Sequence, residues 1–118
     1  MKIAFSSFGP NLMSQLSPRV RGCQYLLIVD PDNMRLEVFE NTRGELENND
    51  RCPAVEYLLS SKVNALVTGR CRKGTFELLT EAGMYIYLKQ SGTVKEVLGK
   101  YTQGLLQRAT RPTSHNGS

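Results

Sequence analysis

Apolar and polar positions change their period once along the chain, near residue 52. Before it they alternate or run together over short stretches, and after it they recur at helical spacing between brief apolar runs. Lys2 to Ser6 reads as a strand, with Ile3 and Phe5 on one face and Ala4 on the other. Phe8-Gly9-Pro10-Asn11 breaks it, and an irregular stretch with a further turn signal at Ser17-Pro18 runs to about Gly22. Gln24 to Asp30 is apolar almost throughout, the pattern of a strand covered on both faces. Pro31-Asp32-Asn33 predicts a tight turn, with Asn tolerating left-handed backbone. Met34, Leu36 and Val38 alternate with Arg35 and Glu37, which completes a hairpin. Asn41 to Asp50 follows as an acidic loop.

Beyond Cys52, Pro53 suits a first helical turn, where its missing N–H costs nothing. Val55, Leu58, Leu59 and Val63 follow at helical spacing, then Ala65-Leu66-Val67-Thr68 forms a short strand ended by Gly69. Phe76, Leu79 and Ala82 mark a second helix stopped by Gly83, and Met84 to Leu88 is a fifth strand. Thr93 and Glu96 form a capping box for a third helix with the stripe Val94, Val97, Leu98, Tyr101 and Leu105. Residues from Gln107 onward are polar and are expected to be a flexible tail (107–118) after one domain over 1–106. The order β-β-β-α-β-α-β-α predicts an α/β domain of three layers, with a mixed sheet and helices on both faces.

With 118 residues there is room for one domain, and ordinary proportions of hydrophobic (40%) and charged (22%) residues exclude a disordered or fibrous chain. No apolar run nears the ~20 residues of a membrane-spanning helix, and the N-terminus lacks a signal-peptide pattern, so a cytoplasmic protein is expected. The net charge of +4 is unevenly spread: residues 1–29 hold no acid, residues 30–50 hold seven of the eleven, and residues 57–76 again hold none. The two basic segments are expected to meet as an anion-attracting surface. Three cysteines without a C-x-x-C pair argue against a disulfide framework or a zinc ribbon. Cys23 follows Arg21-Gly22, and Cys71 lies within Arg70-Cys71-Arg72-Lys73, where neighbouring cations are expected to favour thiolate.

Met1-Lys2-Ile3-Ala4-Phe5-Ser6-Ser7, Ser17-Pro18 ahead of Cys23, Tyr25 to Asp30, Val67-Thr68-Gly69, Phe76 to Leu79 with Glu81-Ala82-Gly83, and Gly92-Thr93-Val94 with Glu96 resemble the nitrogenase iron–molybdenum cofactor biosynthesis family over residues 1–106. The resemblance implies a ribonuclease-H-like fold with sheet order 3-2-1-4-5 and strand two antiparallel. It also implies a non-catalytic carrier of an anionic metal–sulfur cluster, iron–molybdenum cofactor precursor-like or molybdenum–copper sulfide, serving a donor or acceptor protein. Where the family commonly has Phe-Gly-Arg, this chain has Val20-Arg21-Gly22, and its one histidine, His115, stands in the tail.

In the implied sheet, the loops 7–22 and 69–74 face each other at the carboxyl ends of parallel strands, the usual ligand edge of open α/β sheets. Ser17, Arg19, Arg21, Cys23, Gly69, Arg70, Cys71, Arg72, Lys73, Gly92 and Thr93 are the expected cluster-binding residues. Cys23 and Cys71 are candidate metal ligands, and Cys52 is a weaker one. Both loops are rich in Gly, Ser or charge and are read as lacking apolar anchors, which predicts mobility. No enzyme reading matches the residues. A ribonuclease-H-like nuclease needs an aspartate on its first strand, a cysteine hydrolase needs a structured histidine, and the nucleotide-binding fingerprints are missing. The alternative from another class is a nucleic-acid or other polyanion-binding module. No aromatic is interleaved with the basic loops to stack on bases, so nucleic acid is the weaker expectation.

Overall fold

The computed structural model describes residues 1–41 and 52–112. The acidic loop expected after Asn41 lies outside the described residues, as does His115. Eight elements follow in chain order: β1 (Ile3–Ser7), β2 (Tyr25–Asp30), β3 (Arg35–Glu40), α1 (Pro53–Ser60), β4 (Ala65–Val67), α2 (Lys73–Glu81), β5 (Tyr85–Tyr87) and α3 (Val94–Thr102). They form one five-stranded sheet in the order β3-β2-β1-β4-β5. β2 is antiparallel to both β1 and β3, while β1, β4 and β5 run parallel, as the pattern and the resemblance imply.

Alternation along each strand divides the core between two faces. Ala4, Leu26, Ile28, Leu66 and Ile86 point to the side that holds Ala54, Val55 and Leu58 of α1 and Phe76 and Leu79 of α2. Ile3, Phe5, Leu27, Val29, Ala65 and Val67 point to the other side, under Val94, Val97 and Leu98 of α3. Each fully buried Leu, Ile or Phe contributes roughly 1.5–3 kcal/mol, so the continuous apolar runs of β1 and β2 fix these as central strands. No helix among the described residues is long and apolar enough to cross a membrane.

Four local expectations change. In the β2–β3 turn Met34, not Asn33, adopts the left-handed backbone (φ +57°), while the Asn33 Oδ1 accepts from Arg35 N–H at 2.9 Å. Leu36 and Val38 are 39% and 44% exposed, because the core beneath α3 ends at β2. Leu105 is also exposed, since α3 stops at Thr102 and Gly104 turns the chain at φ +75°. The chain then returns beside β5: Ala109 N–H donates to the Ile86 carbonyl at 2.7 Å, so the segment expected as a polar tail from Gln107 begins with a docked stretch.

Candidate functional site

The carboxyl ends of β1 and β4 lie side by side, and the loops leaving them are bonded to each other. Ser17 N–H donates to the Ser6 carbonyl at 2.7 Å, and the Ser6 hydroxyl donates to the Ser17 carbonyl at 2.7 Å. The same Ser6 hydroxyl lies 2.7 Å from that of Thr68, and all three residues are buried. One step outward, Arg70 N–H donates to the Pro18 carbonyl at 2.7 Å. Gly69 is required there: a β-carbon would meet the Pro18 oxygen at 2.8 Å and the Pro18 Cα at 3.0 Å. Leu16 and Val20 are buried and anchor the long loop, which corrects the view that it has no apolar anchors. They were hard to find because isolated apolar residues in an irregular stretch carry no period.

This stitching aligns cations. Arg19 and Arg70 pair in a parallel bridge, both exposed, and exposed Arg72 and Lys73 continue the line into α2. The bridge brings two cationic residues to one edge, where their charges add to a positive local potential. Arg72 is the N-cap of α2 and makes no side-chain cap, and the first turn of α2 carries no acid. The dipole of the helix therefore adds partial positive charge at the same place. Cys52 stands likewise at the start of α1 without a side-chain cap. Arg21 is the exception among the five arginine and lysine candidates, being only 8% exposed.

The three thiols go inward. Cys23, Cys52 and Cys71 are 2%, 1% and 2% exposed and belong to one core cluster beneath α1 and α2. Burial pushes the Cys23 thiol up to about 12, and the neighbouring Cys52 adds to the rise. Cations close in sequence thus fail to favour thiolate at Cys23, because desolvation of the charged form outweighs them. Among the described residues no group of three or more His, Cys, Asp or Glu is placed to hold a metal ion. The Asn41 amide secures the start of β2, its Nδ2 donating to the Cys23 carbonyl at 2.9 Å. Polar residues such as Asn41, Ser6 and Thr68 offered no signal in sequence, since their role depends on strands paired across the sheet.

Gly92 and Thr93 belong to a neighbouring clasp. Gly92 has φ +107°, and its carbonyl accepts from Leu16 N–H at 2.8 Å. The Thr93 hydroxyl accepts from Glu96 N–H at 3.1 Å, and Glu96 Oε1 accepts from Thr93 N–H at 2.8 Å. Val94 and Lys95 N–H groups donate to the Ser14 and Leu12 carbonyls at 2.9 and 2.8 Å. The start of α3 therefore has its donors engaged within the protein. These bonds hold the 12–16 segment in place beside the cationic edge.

The geometry defines a class: an α/β protein with a mixed sheet and a cation-lined edge at the ends of its central parallel strands. The chain belongs to the dinitrogenase iron-molybdenum cofactor family, whose model matches residues 1–104. The structure is similar to the apo form of the orange protein from Desulfovibrio gigas, with a TM-score of 0.89, 24% identity and 96% of each chain covered. It is also similar to a NifB-like protein from Thermotoga, with a TM-score of 0.84, 30% identity and 98% of each chain covered. A dinitrogenase-like protein from Methanocaldococcus jannaschii gives a TM-score of 0.74 at 18% identity, covering 95% of this chain and 97% of that one. A comparison with curated proteins finds no match. Family membership, with the 30%-identical neighbour, supports a cofactor-related carrier role.

Proposed function

We propose that the protein carries an anionic metal–sulfur cluster, of the iron–molybdenum precursor or molybdenum–copper sulfide kind, and performs no chemistry on it. The observation that carries this reading is the side-by-side placement of Arg19 and Arg70, continued by Arg72 and Lys73 at the start of α2. An anion with spread negative charge relieves the repulsion between two guanidinium groups and accepts hydrogen bonds from their planar donors. The buried thiols favour retention by charge over ligation by thiolate, so Cys71, Cys23 and Cys52 serve the packing beneath the edge. A cargo held in this way leaves readily toward an acceptor protein, as a carrier requires.

The test is titration of the apo-protein with thiomolybdate plus copper(I), and separately with an iron–molybdenum cofactor precursor, followed by absorption spectroscopy. A bound chromophore that is released by salt and lost in Arg70→Gln or Arg72→Gln is the expected result. Cys71→Ser is expected to leave loading little changed. A chromophore that survives high salt and disappears in Cys71→Ser would overturn retention by charge. Absence of any chromophore, with salt-sensitive binding to oligonucleotides, would replace the cluster with nucleic acid as the ligand.

A further inference from the structure

The chain treats the two edges of its sheet differently. Outside β5, Ala109 bonds to Ile86 and the Arg108 guanidinium lies over the Tyr85 ring, 4.5 Å from its centroid. Outside β3, no described residue makes a backbone hydrogen bond. The register shows which groups are left open there. Asn41 N–H donates to the Gln24 carbonyl at 2.9 Å, so these two form a hydrogen-bonded pair in the β2–β3 ladder. Such pairs recur at every second residue, through Leu26–Phe39 and Ile28–Glu37. Leu36, Val38 and Glu40 therefore turn their N–H and C=O groups outward. The side chains of Leu36 and Val38 stand on the α3 face, opposite Val29 and Leu27, yet the core under α3 includes no residue of β3. The edge thus presents open backbone groups and an apolar pair together, with no Pro in the strand and with charged Arg35, Glu37 and Glu40 beside the pair.

We infer that β3 pairs antiparallel with the β3 of a second copy of this chain, about a twofold axis at Glu37, joining two five-stranded sheets into one. A twofold axis perpendicular to the sheet keeps the α3 faces of both copies on one side. Leu36 then lies opposite the partner's Val38, and Val38 opposite the partner's Leu36, in a continuous apolar strip. On the other face Glu37 meets the partner's Glu37, and Arg35 of each copy lies diagonal to the partner's Glu37 and offsets that repulsion. Centring on Val38 would set Leu36 against the partner's Glu40, apolar against charge. Centring on Leu36 would draw in Met34, whose φ of +57° departs from extended backbone. Apolar complementarity selects the Glu37 register, with Lys2, 3.4 Å from the Glu37 carboxylate in each copy, also moderating the Glu37 repulsion. Because the axis reverses strand direction, the two cationic edges point to opposite ends of the dimer.

Sedimentation of the intact protein is expected to give twice 13.2 kDa, and Leu36→Lys or Val38→Lys to give a monomer with an unchanged circular dichroism spectrum. Glu37→Cys tests the register. Residues 37 of the two copies form a non-hydrogen-bonded pair, in which the Cα separation of about 4.5 Å allows a disulfide. Diamide takes up the two electrons and two protons as two thiols join, and the native cysteines are buried. Glu37→Cys should become a covalent dimer on a non-reducing gel, while Val38→Cys and Leu36→Cys should not. A monomeric wild type would overturn the inference and leave the edge to a strand of another protein. A dimer that survives both lysine substitutions would place the interface elsewhere and overturn it equally. Cross-linking at 36 or 38 in place of 37 would overturn the register.

Discussion

The carbonyl oxygen of Pro18 stands 2.8 Å from the place a β-carbon on Gly69 would take, and it accepts the N–H of Arg70 at 2.7 Å. One close approach therefore joins the two basic loops and sets Arg70 beside Arg19. Gly69→Ala must push backbone against backbone, which costs about 1–3 kcal/mol. The Arg70–Pro18 bond would lengthen and anion binding would weaken with it. Gly99, inside α3, has nothing within 4 Å of its missing β-carbon. Gly99→Ala is expected to stabilise by ~0.5–1 kcal/mol, from helix propensity alone. Urea unfolding of both variants is the check. Equal shifts in midpoint would remove the close approach as an explanation.

The buried Cys23 thiol predicts an alkaline limit to stability. Cys23 titrates at 9.0 when unfolded and at about 12 in the fold, raised by burial and then by Cys52. The folded state holds its proton more tightly, so this stabilising contribution is complete below 9.0 and falls away as pH rises toward 12. At about 1.4 kcal/mol per pKa unit the loss reaches a few kcal/mol. Cys23→Ala should flatten the stability–pH curve in that window relative to wild type. Ellman's reagent should find no fast-reacting thiol in the native apo-protein at neutral pH and three after denaturation. Rapid native reaction at Cys71 would return it to the list of ligands.

The sheet was legible because its signals are local and redundant. Tyr25 to Val29 is apolar without a break, and Gly83 follows the end of α2 at φ +89°, where a left-handed residue is wanted. The cationic edge was legible through topology, since parallel β1 and β4 bring Arg19 to Arg70. The expectation of a thiolate at Cys23 fails because closeness in sequence to arginine says nothing about which way a side chain turns. The exposure of Leu36 and Val38 was hidden for a related reason. Alternation identifies a face, but only the extent of α3 decides whether that face is covered.

The reciprocal bonds between Thr93 and Glu96 make a further test. Thr93→Ala is expected to cost ~1 kcal/mol, as losses of side-chain N-caps do. Glu96 is held below the usual carboxylate range by the Thr93 N–H and then by the Thr93 hydroxyl. Its contribution is therefore present above the ordinary carboxylate pKa and is lost as pH falls through the lowered value. Glu96→Gln should remove that part of the acid dependence and nothing at neutral pH beyond a small loss. A wild-type stability curve that keeps the same acid slope in Glu96→Gln would assign the dependence to other groups.

Arg19 and Arg70 are predicted to behave as a pair whose repulsion is relieved by ligand. In the absence of anions, Arg70→Gln should leave stability unchanged or raise it by up to about 1 kcal/mol, the scale of like-charge pairs across strands. An anion that binds the folded state alone raises the melting temperature with its concentration. Thiomolybdate should therefore raise the Tm of wild type and raise that of Arg70→Gln much less. If the two arginines hold one anion between them, Arg19→Gln added to Arg70→Gln should cost less binding than it does alone. Thermal melts of the four proteins, with and without thiomolybdate at fixed ionic strength, give this cycle directly. Additive losses would mean that each arginine contributes only to a general field, and the anion would then sit nearer to Arg72, Lys73 and the start of α2.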